Sequence, residues 1–361
     1  MKNSEINDFY ERTRGSRKIM VVDLGFLGDT IHLVPALWEI KDHYPEAELH
    51  VLSTPVGCEV LKMVACVVRP WCFPLGPPSP KWWEHWDVLK ELRRERFDLV
   101  YNFGGGDRSV FITRIIHPKN AMAYQGARKH FWQPWLVPDW VTKRRLPTPV
   151  FESRREVLRL CGLKLQAARF DFTISAPDLL WAESAIPEGS IHLSLNASFA
   201  LKEWPMRQNI EFVQALLQSG LGRKIIVSAA PNPREQARLM EFKKAVNDSC
   251  IVFIEDRMSI PRVAAMLKRC ALHVGPDSGV IHLAYAVGIR TVSIFRRYHD
   301  MADWLPVGER HHYFDAPCQC INSDVRPCES RNEAQCLAGV SPQKVVQEVV
   351  RQIAVSTEGV D

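Results

Sequence analysis

Chemistry-bearing residues gather where apolar runs give way to small ones. Asp29 lies in "VVDLGFLGDTIHLVPALWEIKDHYP" (residues 21–45), between a hydrophobic strand and a long helix. A carboxylate there has two readings. It can take a proton from a bound hydroxyl as a general base, or it can cap the free amides that open the helix. A second such place is "GPDSGVIHLAYAVG" (residues 275–288), where a strand ends and a helix starts near Gly279. The free N–H groups and positive dipole end of a helix start form an anion site. Gly279 would let a phosphate approach the backbone, and His282 adds a donor in the first turn. The plainer reading is that Asp277 or Ser278 caps the helix and His282 is a satisfied, partly buried histidine. A third place is "CQCINSDVRPCESRNEAQC", which holds Cys318, Cys320, Cys328 and Cys336. Four thiols this close can bind zinc or iron tetrahedrally, or they can remain reduced structural thiols.

Two domains of ordinary size are expected to position these residues, because the chain has 361 residues and 46% hydrophobic content. No run of eighteen apolar residues is present, so no membrane-spanning helix is expected. The polar first eighteen residues do not read as a secretory signal. Ten cysteines, six of them scattered, suggest reduced thiols and a cytoplasmic setting. The net charge of +5 comes without a nucleic-acid-binding motif, but it permits anionic ligands or an anionic membrane surface. A nicotinamide dehydrogenase is disfavoured, since no GxGxxG follows the first strand.

The expected class is α/β, with two Rossmann-like domains facing across a cleft. After a flexible or helical lead-in (1–17), a first domain spans 18–170 and a second 171–339 with the cysteine segment 318–336. Residues 340–361 form a helix and tail expected to pack back on the first domain. Apolar, β-branched strands are expected at 18–25, 47–54, 97–106 and 121–126, with Pro35 in the first turns of the helix after the first. The rhythm restarts at 190–198, 224–231, 250–255, 271–279 and 290–295, with helices between. In such sheets ligands sit at the carboxyl ends of strands, where the residues above fall.

Residues 27–37 ("LGDTIHLVPAL") and 275–295 ("GPDSGVIHLAYAVGIRTVSIF") resemble the two signatures of the lipopolysaccharide heptosyltransferases, glycosyltransferases of the GT-B class. "SLNASFALKEWP" (194–205) is similar to that family's loop with a small hydroxyl residue, a lysine and tryptophan–proline, although Phe199 and Ala200 stand where the family usually has an extra residue and another threonine. "DRMSIPRVAAML" (256–267) resembles its segment against the nucleotide base, and the likeness runs from about residue 18 to 355. The resemblance implies inverting transfer of a heptose from a nucleotide-heptose, usually ADP-heptose, without a catalytic metal. It makes Asp29 the base and places Lys202 and Ser198 at the diphosphate, with Asp277, Ser278, Gly279 and His282. Glu235 would meet the ribose and Met258 the base. Arg108, Arg128 and Lys129, with the aromatics of "YQGARKHFWQPW" (124–135) and the basic 143–145, would suit an anionic glycan or glycolipid acceptor at the cytoplasmic face of the inner membrane. The autotransporter-modifying branch carries a related cysteine-rich metal segment, so a structural zinc or iron is one reading of the four cysteines. The alternatives are a GT-B transferase or epimerase using another nucleotide-sugar, or a silent sugar-nucleotide binding protein.

Overall fold

The computed structural model describes residues 6, 8–73, 85–124, 130–142, 147–318, 320, 328, 329 and 332–358. The chain forms two compact units, Met1–Thr173 and Ile174–Asp361. In the first, strands β1 (Lys18–Val22), β2 (Glu48–Ser53), β3 (Arg69–Cys72), β4 (Leu99–Asn102), β5 (Asn120–Tyr124) and β6 (Asp139–Val141) make one sheet in the order 3-2-1-4-5-6. Every pairing is parallel. The second unit holds β7 (Ser190–Ser194), β8 (Ile225–Ser228), β9 (Ile251–Ile254), β10 (Cys270–Pro276), β11 (Arg290–Arg297) and β12 (His311–Pro317). Its order is β12-β11-β10-β7-β8-β9, again parallel throughout. Counted from its own first strand, each sheet has the doubly wound order of a dinucleotide-binding fold. The central strands are wholly buried, as Ile19–Val22 and Ile225–Val227 show, because helices cover both faces of such sheets.

The lead-in contains a helix, Phe9–Thr13, whose Phe9 is fully buried and packs edge-on against Tyr101. Two expectations change. The helix after β1 begins at Leu27, so Pro35 sits in its interior rather than its first turns. There the Ile31 carbonyl loses its usual amide donor. Cys58, in the helix Pro55–Leu61, forms a disulfide with Cys72 at the end of β3, with Cα atoms 5.9 Å apart. Not all the scattered thiols are therefore reduced. The C-terminal helix Pro342–Glu358 carries an apolar stripe that packs within the second unit. Val345, Val349 and Ile353 are buried in the core of the second unit, against the helix Met206–Gln218 and strands β10 and β11. No helix among the described residues is long and apolar enough to cross a membrane.

Candidate active site

In the first unit, Asp29 is the third residue of the helix Leu27–His43, not part of a loop. Its Oδ2 accepts the Phe26 N–H at 2.9 Å, so the capping role is real. Its Oδ1 lies 3.3 Å from Nη2 of Arg154, on the helix Val150–Leu160. Arg154 Nη1 meets Asp23 Oδ2 at 2.5 Å. One guanidinium thus bridges two carboxylates. The Asp29 side chain keeps 26% of its exposure, so a substrate hydroxyl can still reach it. Gly25 makes this geometry possible, because a Cβ there would lie 2.4 Å from the Asp29 Cβ. Asp23 ends the buried run of β1, and its Oδ1 accepts the Gly25 N–H at 3.1 Å. Burial pushes its carboxyl above the usual range, Arg154 pulls the other way, and the Asp29 charge adds to the rise.

In the second unit, Lys202 ends a short 3-10 turn, Ala200–Lys202, on the loop after β7. Its Nζ sits 2.7 Å from Asp277 Oδ2. Tyr298 donates its hydroxyl to the same oxygen at 3.2 Å, and His282 Nε2 lies 3.8 Å from Oδ1. Burial works to raise the Asp277 carboxyl, but His282 and Lys202 outweigh it and hold the group below the usual range. Asp277 stands just before the helix Gly279–Ala286, whose N-cap is Ser278. The Ser278 side chain makes no capping bond, and its buried Oγ has no hydrogen-bond partner among the described residues. The first-turn amides are therefore not closed off by that hydroxyl, as an anion site requires.

The cysteine segment also belongs to the second unit. The sulfurs of Cys318, Cys328 and Cys336 all lie within 4.8 Å of one another. The Cys328 N–H points at Cys320 Sγ at 3.4 Å, and all four cysteines pack together with Leu201. A tetrahedral site with ~2.3 Å metal–sulfur bonds has sulfurs about 3.8 Å apart, so the cluster fits a zinc or iron ion after small side-chain adjustment. Burial and the neighbouring sulfurs push the Cys336 thiol up to about 12. Several thiolates this close need a cation between them.

A sequence profile of glycosyltransferase family 9 (heptosyltransferase) matches residues 85–333, more than half of the chain. The chain belongs to glycosyltransferase family 9. It is a glycosyltransferase. The lipopolysaccharide core heptosyltransferase OpsX of Haemophilus influenzae is 20% identical over 294 residues, covering 80% of this chain and 81% of that protein. The structure of E. coli ADP-heptose lps heptosyltransferase II superposes with a TM-score of 0.73 at 16% identity, over 94% of this chain and 99% of that one. E. coli heptosyltransferase WaaC with ADP gives 0.71 at 16% identity, over 93% and 99%. At these identities the structural likeness shows a shared GT-B fold.

The other expected site residues of this glycosyltransferase fall as follows. Ser198 is exposed on the loop that leads to Lys202. Glu235 closes a reciprocal cap on the helix Pro233–Ala245: its own N–H goes to Asn232 Oδ1 at 3.0 Å, and Asn232 Nδ2 donates to its Oε1 at 2.9 Å. Its Oε2 accepts the Ala230 N–H at 2.9 Å, so both oxygens have a structural partner. Met258 is half-buried on the loop after β9. Arg108 is exposed in the first turn of the helix Asp107–Ile116. Arg128, Lys129 and the basic run 143–145 lie outside the described residues.

Sequence reasoning missed Asp23, Arg154, Glu203 and Tyr298. Glu203 anchors the Lys202 loop. Its buried carboxylate accepts the Ala197 N–H at 3.0 Å and pairs with Arg234 and, at 3.2 Å, with Arg238. The available signal for Asp23 was a carboxylate closing an otherwise apolar strand, a costly choice without a partner.

Proposed function

We propose that the enzyme moves a heptose from ADP-heptose to a hydroxyl of an anionic glycan or glycolipid in lipopolysaccharide synthesis, inverting the anomeric carbon. Asp29 accepts the proton of the attacking hydroxyl as the new C–O bond forms. The bond from the anomeric carbon to the β-phosphate oxygen breaks, and its electron pair leaves with ADP. Lys202, Ser198 and the amides at Gly279 neutralise that developing charge, with His282 alongside, so this step uses no metal. Asp277 holds Lys202 in place beforehand. Met258 packs on the base, and Glu235 reaches the ribose with its remaining lone pairs. The lipopolysaccharide, ADP-heptose and ADP of the similar heptosyltransferases support this choice of donor and product.

The carrying observation is Lys202, 2.7 Å from a buried aspartate at a helix start whose N-cap hydroxyl makes no cap. Acceptor binding falls to Arg108, Arg128 and Lys129, and the exposed rings of Phe131 and Trp135 suit contact with an anionic membrane face on the cytoplasmic side. A structural zinc or iron at Cys318, Cys320, Cys328 and Cys336 would support the Lys202 loop through Leu201.

Thermal unfolding with ADP-heptose, ADP-glucose and a UDP-hexose tests the donor, since a ligand of the native state raises stability. ADP-heptose should protect most and release ADP when a core glycolipid is added. Protection by the UDP-hexose alone would overturn the reading.

A further inference from the structure

Asp23 and Arg154 form a cluster with Asp29 that the proposed chemistry has so far not used. We propose that both are positioning residues for Asp29, an inference that rests on Asp29 being the base. The geometry supplies two constraints. Asp29 Oδ2 is fixed by the Phe26 N–H at 2.9 Å and Oδ1 by Arg154 Nη2 at 3.3 Å, which sets the plane of the carboxylate and leaves one lone pair on each oxygen. Arg154 by itself would set an uncompensated positive charge beside the carboxylate. Asp23, 2.5 Å away on the other side of the guanidinium, supplies the opposing charge. The base is thus aligned by a cation whose field is already balanced.

The adjacent arginine shows what a purely structural pair looks like. Arg155 is buried, takes both oxygens of Glu152 at 2.8 Å and reaches Glu39 at 3.2 Å, a closed set of charges. Arg154 instead lines an open cavity of about 160 Å³ with Phe103, Tyr124, Ser153 and two valines. Phe103 and Tyr124 mark the carboxyl ends of β4 and β5, where ligands of such sheets bind. Glu39 and Glu152 share the one guanidinium of Arg155. His32, buried between Phe151 and Phe170, is the further titratable group of the Asp29 helix on the side packed against Val150–Leu160.

The test uses the full chain with Asp23→Asn and Arg154→Lys, two near-isosteric or charge-keeping changes, each checked for folding by its Tm. Lysine cannot bridge two carboxylates as a guanidinium fork does. Two readouts are taken. The first is kcat and KM for ADP-heptose turnover across pH. The second needs no substrate: carbodiimide labelling of Asp29 as a function of pH, read by peptide mass spectrometry. Arg154→Lys should lower kcat about 10–10²-fold with donor KM nearly unchanged, the usual result of misplacing a reacting group. Asp23→Asn should move the acid limb of kcat/KM and the labelling midpoint of Asp29 together to lower pH. Lower Tm in both variants with an unmoved midpoint and unchanged kcat would reduce the cluster to a structural ion pair. A midpoint moved by Asp23→Asn, with a wild-type protein that does not turn over ADP-heptose, would count against the donor assignment and leave the positioning intact.

Discussion

Each unit has an aspartate where a parallel strand runs into a helix, and the two are held in opposite ways. Asp29 shares one guanidinium with a second carboxylate and keeps 26% of its side-chain exposure. Asp277 keeps 4% and receives Lys202, Tyr298 and His282. The same local architecture therefore yields a reachable carboxylate in one unit and a buried counter-ion in the other. Burial and the share of positive charge decide which, not the position relative to the helix.

The sharpest way to break this comparison is Asp29→Asn. The amide cannot take a proton, so turnover should fall by about 10²–10⁴ while ADP binding stays near normal. It can still accept the Phe26 N–H, so the helix should remain capped. Near-normal transfer by the variant would leave Asp29 as a cap alone and erase the contrast with Asp277.

Lys202→Ala should come next, with kcat lower by roughly 10²–10³ through lost stabilisation of the leaving diphosphate. Affinity for ADP should drop while affinity for adenosine holds. Equal losses for both, measured by calorimetry, would show that Lys202 acts through the fold rather than at the phosphates.

The two units also differ in how much of them the sequence disclosed. The central strands were legible because burial on both faces demands runs such as Ile19–Val22 and Ile225–Val227. Three of the four edge strands, β3, β6 and β12, reading RPWC, DWV and HHYFDAP, were not, since an edge tolerates proline and polar residues, whereas the fourth edge, β9, keeps the apolar run IVFI and was legible. Motif residues Asp29, Lys202 and Asp277 stood out by their place at strand ends. Their partners did not: Arg154 is 125 residues from Asp29, and no periodicity links such distant positions. The Cys58–Cys72 disulfide escaped for the same reason, as it depends on a helix packing over the end of β3.

A smaller effect is expected from removing metal. If the cysteine cluster holds an ion, elemental analysis should find roughly one zinc or iron per chain, and a chelator should lower Tm. Because Leu201 packs on these sulfurs next to Lys202, ADP affinity should weaken with it, while Asp29 labelling by carbodiimide stays as it was. Substoichiometric metal and an unchanged Tm would return the cysteines to reduced core thiols.

The smallest expected effect is a difference in acid sensitivity between the units. In the second, His192 and His273 are fully buried and their Nδ1 atoms lie 2.7 Å apart. Burial lowers His192 to about 3 and holds His273 well below its usual value, while burial and nearby arginines bring His311 to about 4. In the first unit, burial and Lys18 lower His50. The unfolded chain, with histidines near 6.5, then binds protons that the folded chain refuses. Stability is therefore lost as pH falls below about 6.5, by up to roughly 1.4 kcal/mol per unit of pH for each such histidine. Asp23 works in the other direction: its raised carboxyl contributes stability that is present in acid and lost as pH rises through its folded value. Between about pH 6.5 and 4.5, three histidines thus weaken the second unit against one in the first. Hydrogen exchange corrected for its intrinsic pH dependence should show β7 and β10 losing protection faster than β1 and β4 over that range. Equal slopes in both units would mean that the buried histidine pair finds a way to accept a proton in place, and the neutral His192–His273 contact would have to be abandoned.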